Sequence, residues 1–395
     1  MRWLIGLVAC AVLAGLLSLD KASAAFRAIT STTGTWTSAA VYPGGNLSDW
    51  GQNSSGQLGI GSTTDSPSPV HVGSATTWAK PAAGGAFACA VRTDGTLWCW
   101  GDNSSGQLGL GDTTNRTTPA QVGTLTTWSL VSAGGAFACA VRTNGTLWCW
   151  GDNSKGQLGL GDLVNRTSPA QVGTLTTWQS VSTGKAHACG WRDGNTLWCW
   201  GDNSSGQLGL GNAINRRLPA EVLAIGPTNS VSAGGAHTCA VRVSQSLWCW
   251  GNNASGQLGL GDTSNRLSPV QVGTLNVWEV PAATGGAHTC ARQIDTTLWC
   301  WGDNSSGQLG LGDTTNRTSP VQVTTPGTWS AVTAGAAHTC GKRTTGNSVW
   351  CWGNNSFGQL GLGDHTNRKT PAQLSGFSSI SVATGPTAFF TLAAS

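Results

Sequence analysis

Apolar residues along this chain come in short bursts separated by runs of Gly, Ser, Thr and Asn, and the bursts keep a fixed order. Each round ends on a Trp-Gly step, at Trp50, Trp100, Trp150, Trp200, Trp250, Trp301 and Trp352, with intervals of 50 residues for the first four steps and 51 for the last two. A period of that size is the mark of a repeat architecture. In the unit 78–122, Trp78 to Ala83 predicts a first strand, Ala86 to Arg92 a second and Thr96 to Trp100 a third. Gly84-Gly85 supplies the first turn, and Thr93-Asp94-Gly95 suits a three-residue hairpin loop with Gly in the left-handed position. A Gly-rich loop from Gly101 to Thr118 then leads to a short strand, Pro119 to Val122. Seven such units predict an all-β, seven-bladed propeller of four-stranded blades.

The third burst, Leu97-Trp98-Cys99-Trp100, is apolar on both faces. Such a strand belongs to a sheet covered on both sides. Trp98 and Trp100 should face one neighbouring blade, Leu97 and Cys99 the other. One repeat is split between the chain ends. Asp49 occupies the place of a cysteine before Trp50, and residues 377–395 read as half a repeat with Phe390 at the partner cysteine's place. Residues 46–72 and 377–395 are therefore expected to form a closing blade together, which leaves no open sheet edge. Elsewhere the loop carries Asp112 with Arg116, Asp162 with Arg166, Asp262 with Arg266, Asp313 with Arg317 or Asp364 with Arg368, and Asn212 with Arg216 as a variant. The closing repeat has Ser62 and Ser66 instead. Joint loss of both residues predicts a local ion pair that braces the loop.

Apart from Cys10, the cysteines fall into local pairs: Cys89 with Cys99, Cys139 with Cys149, Cys189 with Cys199, Cys239 with Cys249, Cys290 with Cys300 and Cys340 with Cys351. In the hairpin register above, each pair lies directly across two strands. Zinc is the rival reading, but this spacing with no second pair at ligand distance is a poor zinc pattern. As disulfides, such short loops contribute roughly 2.5–3 kcal/mol each and require an oxidising compartment. The N-terminus agrees. Arg2, an apolar stretch from Trp3 to Leu17 and Ala22-Ser23-Ala24 describe a signal peptide over 1–24, cleaved near Ala24. Leu7-Val8-Ala9-Cys10 also resembles a lipoprotein box, but the apolar run continues past Cys10, which favours the later cleavage and leaves lipidation of Cys10 open. A Ser/Thr-rich leader over 25–40 precedes the propeller at 41–395. The apolar run is too short for a comfortable membrane span. Cleavage would remove one net positive charge from the +4 of the full chain, and so mild a balance gives no electrostatic footprint for nucleic acid.

The phrase Trp-Gly-x-Asn-x-x-Gly-Gln-Leu-Gly-x-Gly resembles the repeat of the regulator of chromosome condensation family, as do Gly235-Ala236-His237-Thr238 and Gly286-Ala287-His288-Thr289 upstream of it. The resemblance covers residues 41–395 and implies a seven-bladed propeller closed by both chain ends. The founding member is a nuclear exchange factor for a small GTPase. A signal peptide, cysteine pairs and the absence of the insertion used for exchange argue against that partner here. Secreted bacterial relatives act as binding proteins, one of them as an inhibitor of β-lactamases.

Candidate chemistry is sparse. His187, His237, His288 and His338 recur in phase, but Phe87 and Phe137 take the same place, which points to packing rather than a metal-holding ring. Asp102, Asp152, Asp202 and Asp303 could suggest calcium loops, yet Asn252, Asn354 and Gln52 replace them, and turn chemistry accounts for Asp and Asn there. No metal and no cofactor is expected, calcium being the one alternative. No catalytic motif is present, so no catalytic residue is assigned and an enzyme is not expected. Against the internal consensus, Lys155, Lys185, Trp191, Arg217, Phe357 and His365 stand out as candidate partner contacts, as do Lys342 and Lys369. Aromatic and Arg departures are typical binding anchors; drift among tolerant loop positions is the competing explanation. The expectation is an exported propeller serving as a protein–protein interaction module, an inhibitor or an envelope adaptor. Carbohydrate or cell-wall binding, with or without hydrolysis, is the alternative, and a structural envelope role is the third.

Overall fold

Alternating small and large apolar side chains, broken by glycine turns, build each repeat into one antiparallel sheet. The computed structural model describes residues 45–279, 281–378 and 381–394. The expected signal peptide, the leader, Cys10 and the first residues of the expected propeller lie outside the described residues. In blade 1 the strands are Trp78–Ala83, Phe87–Arg92, Leu97–Gly101 and Arg116–Gln121, hydrogen-bonded in that order. Blades 2 to 6 repeat the plan over 128–171, 178–221, 228–271, 283–322 and 329–378. The fourth strand begins earlier than the expected Pro119. Arg116 already pairs with Gly101, and an irregularity separates that pair from Ala120 opposite Cys99.

First strands of successive blades touch one another around the ring and so line its centre. Hydroxyl pairs join them, Ser132 to Thr183, Ser232 to Thr284 and Thr333 to Thr384, each at 2.8 Å. The third strand is sandwiched as expected. Leu97 and Cys99 of blade 1 pack with Trp148 and Trp150 of blade 2, while Trp98 and Trp100 pack with Leu58, Val72 and Leu392 of the closing blade.

Each expected cysteine pair is a disulfide in the structure. Blades 1 to 3 hold Cys89 bonded to Cys99, Cys139 to Cys149 and Cys189 to Cys199. Blades 4 to 6 hold Cys239 bonded to Cys249, Cys290 to Cys300 and Cys340 to Cys351. Both cysteines of every pair face each other directly across the second and third strands. Cys99, Cys149, Cys199, Cys249, Cys300 and Cys351 supply the third-strand half of each bridge, and all twelve residues are fully buried. With every one of these sulfurs spent in a bridge, none is left as a thiolate ligand for the rival zinc reading. Six bridges imply an oxidising environment. No described helix is long and apolar enough to cross a membrane.

Both chain ends form the seventh blade, in the order Ser66–His71, Leu47–Gly51, Phe390–Ala394, Ser381–Ala383. Its register corrects one expectation. Asp49 lies opposite Leu392, and Gly51 opposite Phe390. Leu392, not Phe390, therefore holds the first cysteine's place, and Phe390 matches Phe87. The turn through Gly385, Pro386 and Thr387 is longer than its counterparts, which shifts the count.

Asp49 is fully buried, and neither carboxyl oxygen has a hydrogen-bond partner among the described residues. Burial pushes its pKa well above the ordinary carboxylate value. The nearby Trp100 indole tempers the rise, but its N–H is spent on the Gln57 carbonyl at 2.9 Å. Because the folded chain holds this proton and the unfolded chain releases it, the closing blade loses stability as pH rises above about 4. Replacing Asp49→Asn removes that dependence. The stability difference between variant and parent, read from urea midpoints, should grow as pH is raised from 4 to 8; a constant difference would show that Asp49 does not titrate with folding. Pairing Asp49→Cys with Leu392→Cys should form a seventh bridge, visible by non-reducing peptide mapping, and stabilise the ring by up to about 5 kcal/mol, the top of the range for measured disulfides.

Candidate functional site

The strand order puts the inner turns and the long loops at one end of the ring, here called the loop face, and the hairpins and blade linkers at the other. Each long loop satisfies itself. In blade 1 the buried Asn103 accepts the Leu108 N–H at 2.9 Å and donates to the Asp112 carbonyl at 3.0 Å. Gln107 donates to Asp102 at 2.6 Å and accepts the Ser105 N–H at 2.8 Å. Asp112 holds Arg116 at 2.7 Å, and the guanidinium also reaches the Thr114 carbonyl. The Thr114 N–H and then the guanidinium hold the Asp112 carboxyl below its usual range. The expected loop brace is present in five blades, with the other four pairs at 2.5 Å. Asp102, a residue of the calcium alternative, is engaged by Ser104 and Gln107, and no cluster of three metal-binding side chains occurs among the described residues.

The loop also caps the next blade. Trp150 donates its indole N–H to the Gln107 carbonyl at 2.9 Å. A Cβ on Gly109 would stand 2.8 Å from that indole nitrogen, and Gly109 has φ +72°. Glycine is required there for both reasons.

The in-phase histidines are fully buried under this cap. His187, His237 and His288 each place Nε2 2.9 Å from a threonine hydroxyl of the following blade (Thr238, Thr289, Thr339), and His338 reaches Thr391 at 3.0 Å. Thr238 gives its own hydrogen to the Gln207 carbonyl at 2.8 Å, so its oxygen accepts from His187 Nε2–H. Nδ1 is then bare, buried and without a partner among the described residues in all four. At the other joints the pair changes as a unit. Phe87 packs with Ala138, Phe137 with Ala188 and Phe390 with Ala88. Burial lowers the imidazole pKa values to about 4 for His187 and His288 and to about 3 for His237 and His338, neighbouring imidazoles adding to the last two.

The sequence-derived contact residues do not form one patch. Lys155 is exposed on the blade 2 loop. Arg217, also exposed, lies on the outer strand of blade 3 against that loop, where Gly161 N donates to the Arg217 carbonyl at 2.8 Å. Lys185 sits on the inner turn of blade 3, its backbone joined to Gly135 and Gly234. Phe357 is half-buried against Phe389 of the lengthened closing turn, with ring centroids 5.8 Å apart, so packing explains it. His365 is on the blade 6 loop. Trp191 is half-buried opposite Leu197, at the hairpin end.

A set the sequence reading missed joins Lys155 and Arg217. Leu163 is 44% exposed, Val164 61%, Ile214 63%, Leu218 58% and Leu267 42%. These five occupy the loops of blades 2 and 3 and the outer strands of blades 3 and 4. Blade 1 has Thr113, Thr114, Thr118 and Thr117 at the matching places. Aligning the repeats for aliphatic departures as well as charged and aromatic ones would have found them.

Shallow crevices also repeat between blades. One of about 290 Å³ lies between blades 1 and 2, lined by Leu110, Gln121, Trp148 and Pro169. Its counterpart between blades 4 and 5, about 480 Å³, is lined by Leu260, Gln271, Trp299 and Pro320.

The RCC1-like domain family matches residues 17–291, and the Regulator of chromosome condensation (RCC1) repeat matches 295–341 and 347–391. The Ultraviolet-B receptor UVR8 of Arabidopsis thaliana is 39% identical over 89 residues, 22% of this chain and 20% of that one. Human WBSCR16 superposes with a TM-score of 0.80 at 20% identity, over 89% of this chain and 100% of that one. Prp20p of Saccharomyces cerevisiae gives 0.78 at 20%, over 89% and 91%. At that identity the two structures establish the fold alone.

Four imidazoles that must stay neutral make the ring acid-sensitive. Their stabilisation is complete above about pH 6.5 and is lost as pH falls through the folded values near 4 and 3, on the order of 3 kcal/mol for His187 and His288 and about 5 kcal/mol for His237 and His338. Replacing His288→Phe together with Thr339→Ala should keep the fold, since three joints already use that pairing, and should flatten the fall in urea midpoint between pH 7 and 4. An unaltered slope would mean that this histidine takes no part in acid unfolding.

Proposed function

The chain belongs to the regulator of chromosome condensation (RCC1) repeat family, and from that membership we propose that it is an exported platform for binding another protein. The observation that carries this reading is the aliphatic and cationic sector across blades 2 to 4. Internal contacts are alike from blade to blade, yet on the loop face exposed Ser and Thr give way to Leu, Ile and Val over blades 2 to 4; at the opposite end of the ring Leu223, Val243 and Ile294 are exposed as well. Exposed aliphatic groups in a coherent patch mark interaction surfaces. The related fold of yeast Prp20 has been solved bound to Kap60, and its binding to Gsp1p and histones has been described. A disulfide-stapled, exported chain would meet different partners, with inhibition or envelope attachment as the outcome. Export argues against a small GTPase; the propeller itself does not exclude one.

A second reading has its own support. The inter-blade crevices pair a half-buried indole with amide and hydroxyl groups, and six third strands carry that indole, from Trp98 to Trp350. Such a surface suits stacking on a neutral sugar ring.

Immobilised, oxidised protein lacking residues 1–24 should retain one saturable, stoichiometric protein from envelope and culture-fluid extracts of its source. Simple sugars should not displace it. Displacement by a monosaccharide would transfer the function to the crevices, and a column that retains no protein would refute the platform reading.

A further inference from the structure

We propose that the sector over blades 2 to 4 docks a protein segment that presents aliphatic side chains flanked by Asp or Glu; the inference rests on the platform reading and specifies its partner. Its apolar residues lie on both sides of two blade boundaries. The blade 2 loop, with Leu163 and Val164, lies on the blade 3 outer strand, where a Cβ on Gly161 would stand 3.6 Å from Leu218 Cδ2. The blade 3 loop, with Ile214, lies in turn on the blade 4 outer strand, where Gly211 N donates to the Leu267 carbonyl at 2.9 Å.

Charge selects the partner. Three departures in this sector change its charge, and all three make it more positive. Lys155 stands where blades 1 and 3 have Ser105 and Ser205, and Arg217 where blades 1 and 2 have Thr117 and Thr167. Asn212 replaces the bracing aspartate. In the neighbouring blades Arg166 and Arg266 hold Asp162 and Asp262 at 2.5 Å. Arg216 reaches only the carbonyls of Ile214 at 3.1 Å and Asn215 at 3.4 Å, and has no ion pair among the described residues. Asp152 and Asp202 in the same loops keep their negative charge, each accepting from a neutral glutamine amide, Gln157 at 2.6 Å and Gln207 at 2.7 Å; they are common to the repeat, so the departures shift the sector's charge relative to the equivalent loop of blade 1. Glu221, the one acidic departure nearby, is at the far end of the outer strand.

Aliphatic centres rimmed by arginine fit protein partners, because apolar contact supplies burial and charge supplies orientation and encounter rate. Nucleic acid would use the cations but leave five aliphatic side chains without a counterpart.

The test is selection from a displayed library of random 16-residue peptides, panned against the full mature, oxidised chain. Enriched peptides should combine Leu, Ile or Val with Asp or Glu, and their Kd should rise at least tenfold between 50 and 500 mM NaCl. Replacing Ile214→Ser with Leu218→Ser should weaken them at least tenfold. Replacing Arg216→Ser with Arg217→Thr should remove most of the salt dependence. Ser or Thr already occupies matching places in other blades, so both variants should fold, which an unchanged urea midpoint would verify. Peptides without acidic residues, or binding indifferent to both variants, would overturn the sector assignment and leave the platform reading standing. A selection that enriches nothing would count against both.

Discussion

Everything in this ring hangs on one contact, a tryptophan of each blade held beneath a glycine of the blade before it. Trp150 under Gly109, with its indole N–H on the Gln107 carbonyl, ties the third strand of one sheet to the loop of another. That contact needs a large, flat side chain and a residue without Cβ; in six of the seven blades the indole also donates to a carbonyl turned inward, while Trp352 under Gly310 has no hydrogen-bond partner among the described residues. The loop provides the carbonyl by satisfying its own polar groups through Asn103 and Gln107. Change of any one element exposes or starves the others, so the phrase recurs almost letter for letter while nearby surface positions vary.

Much of this was legible in the sequence because it repeats. Period, strand number, disulfide partners, the sandwiched third strand and the split closing blade all follow from comparing one round with the next. The comparison failed where a round changes length. The turn through Pro386 displaced the count, so Phe390 was matched to a cysteine although it fills the place of Phe87. Function was less legible. Charged and aromatic departures stand out in the sequence, and of these Phe357 is explained by packing against Phe389. Leu163, Ile214 and Leu218 do not stand out there, since an aliphatic residue in a sequence reads as core until a structure places it in water.

Asp49 and the histidines oppose each other in pH. The carboxyl weakens the seam as the solution becomes more alkaline, and the imidazoles weaken the joints as it becomes more acidic. Between them, stability should peak over a limited range rather than rise steadily in either direction. The disulfides are spread through the other six blades, from Cys89–Cys99 round to Cys340–Cys351, leaving the seam to backbone pairing and packing.

The exchange of His–Thr for Phe–Ala has a consequence for assembly. Near-identical modules on one chain invite mispairing, in which a sheet docks against the wrong neighbour or against another molecule. Here the joints come in two incompatible types, and each type occupies a contiguous arc. A histidine edge set against Ala188 would strand its N–H, and a phenylalanine edge set against Thr238 would bury a hydroxyl beside a ring. The ring thus carries two kinds of joint in its interior, and a histidine edge moved to the other arc would lose its hydroxyl acceptor even where the outer sequence is almost the same.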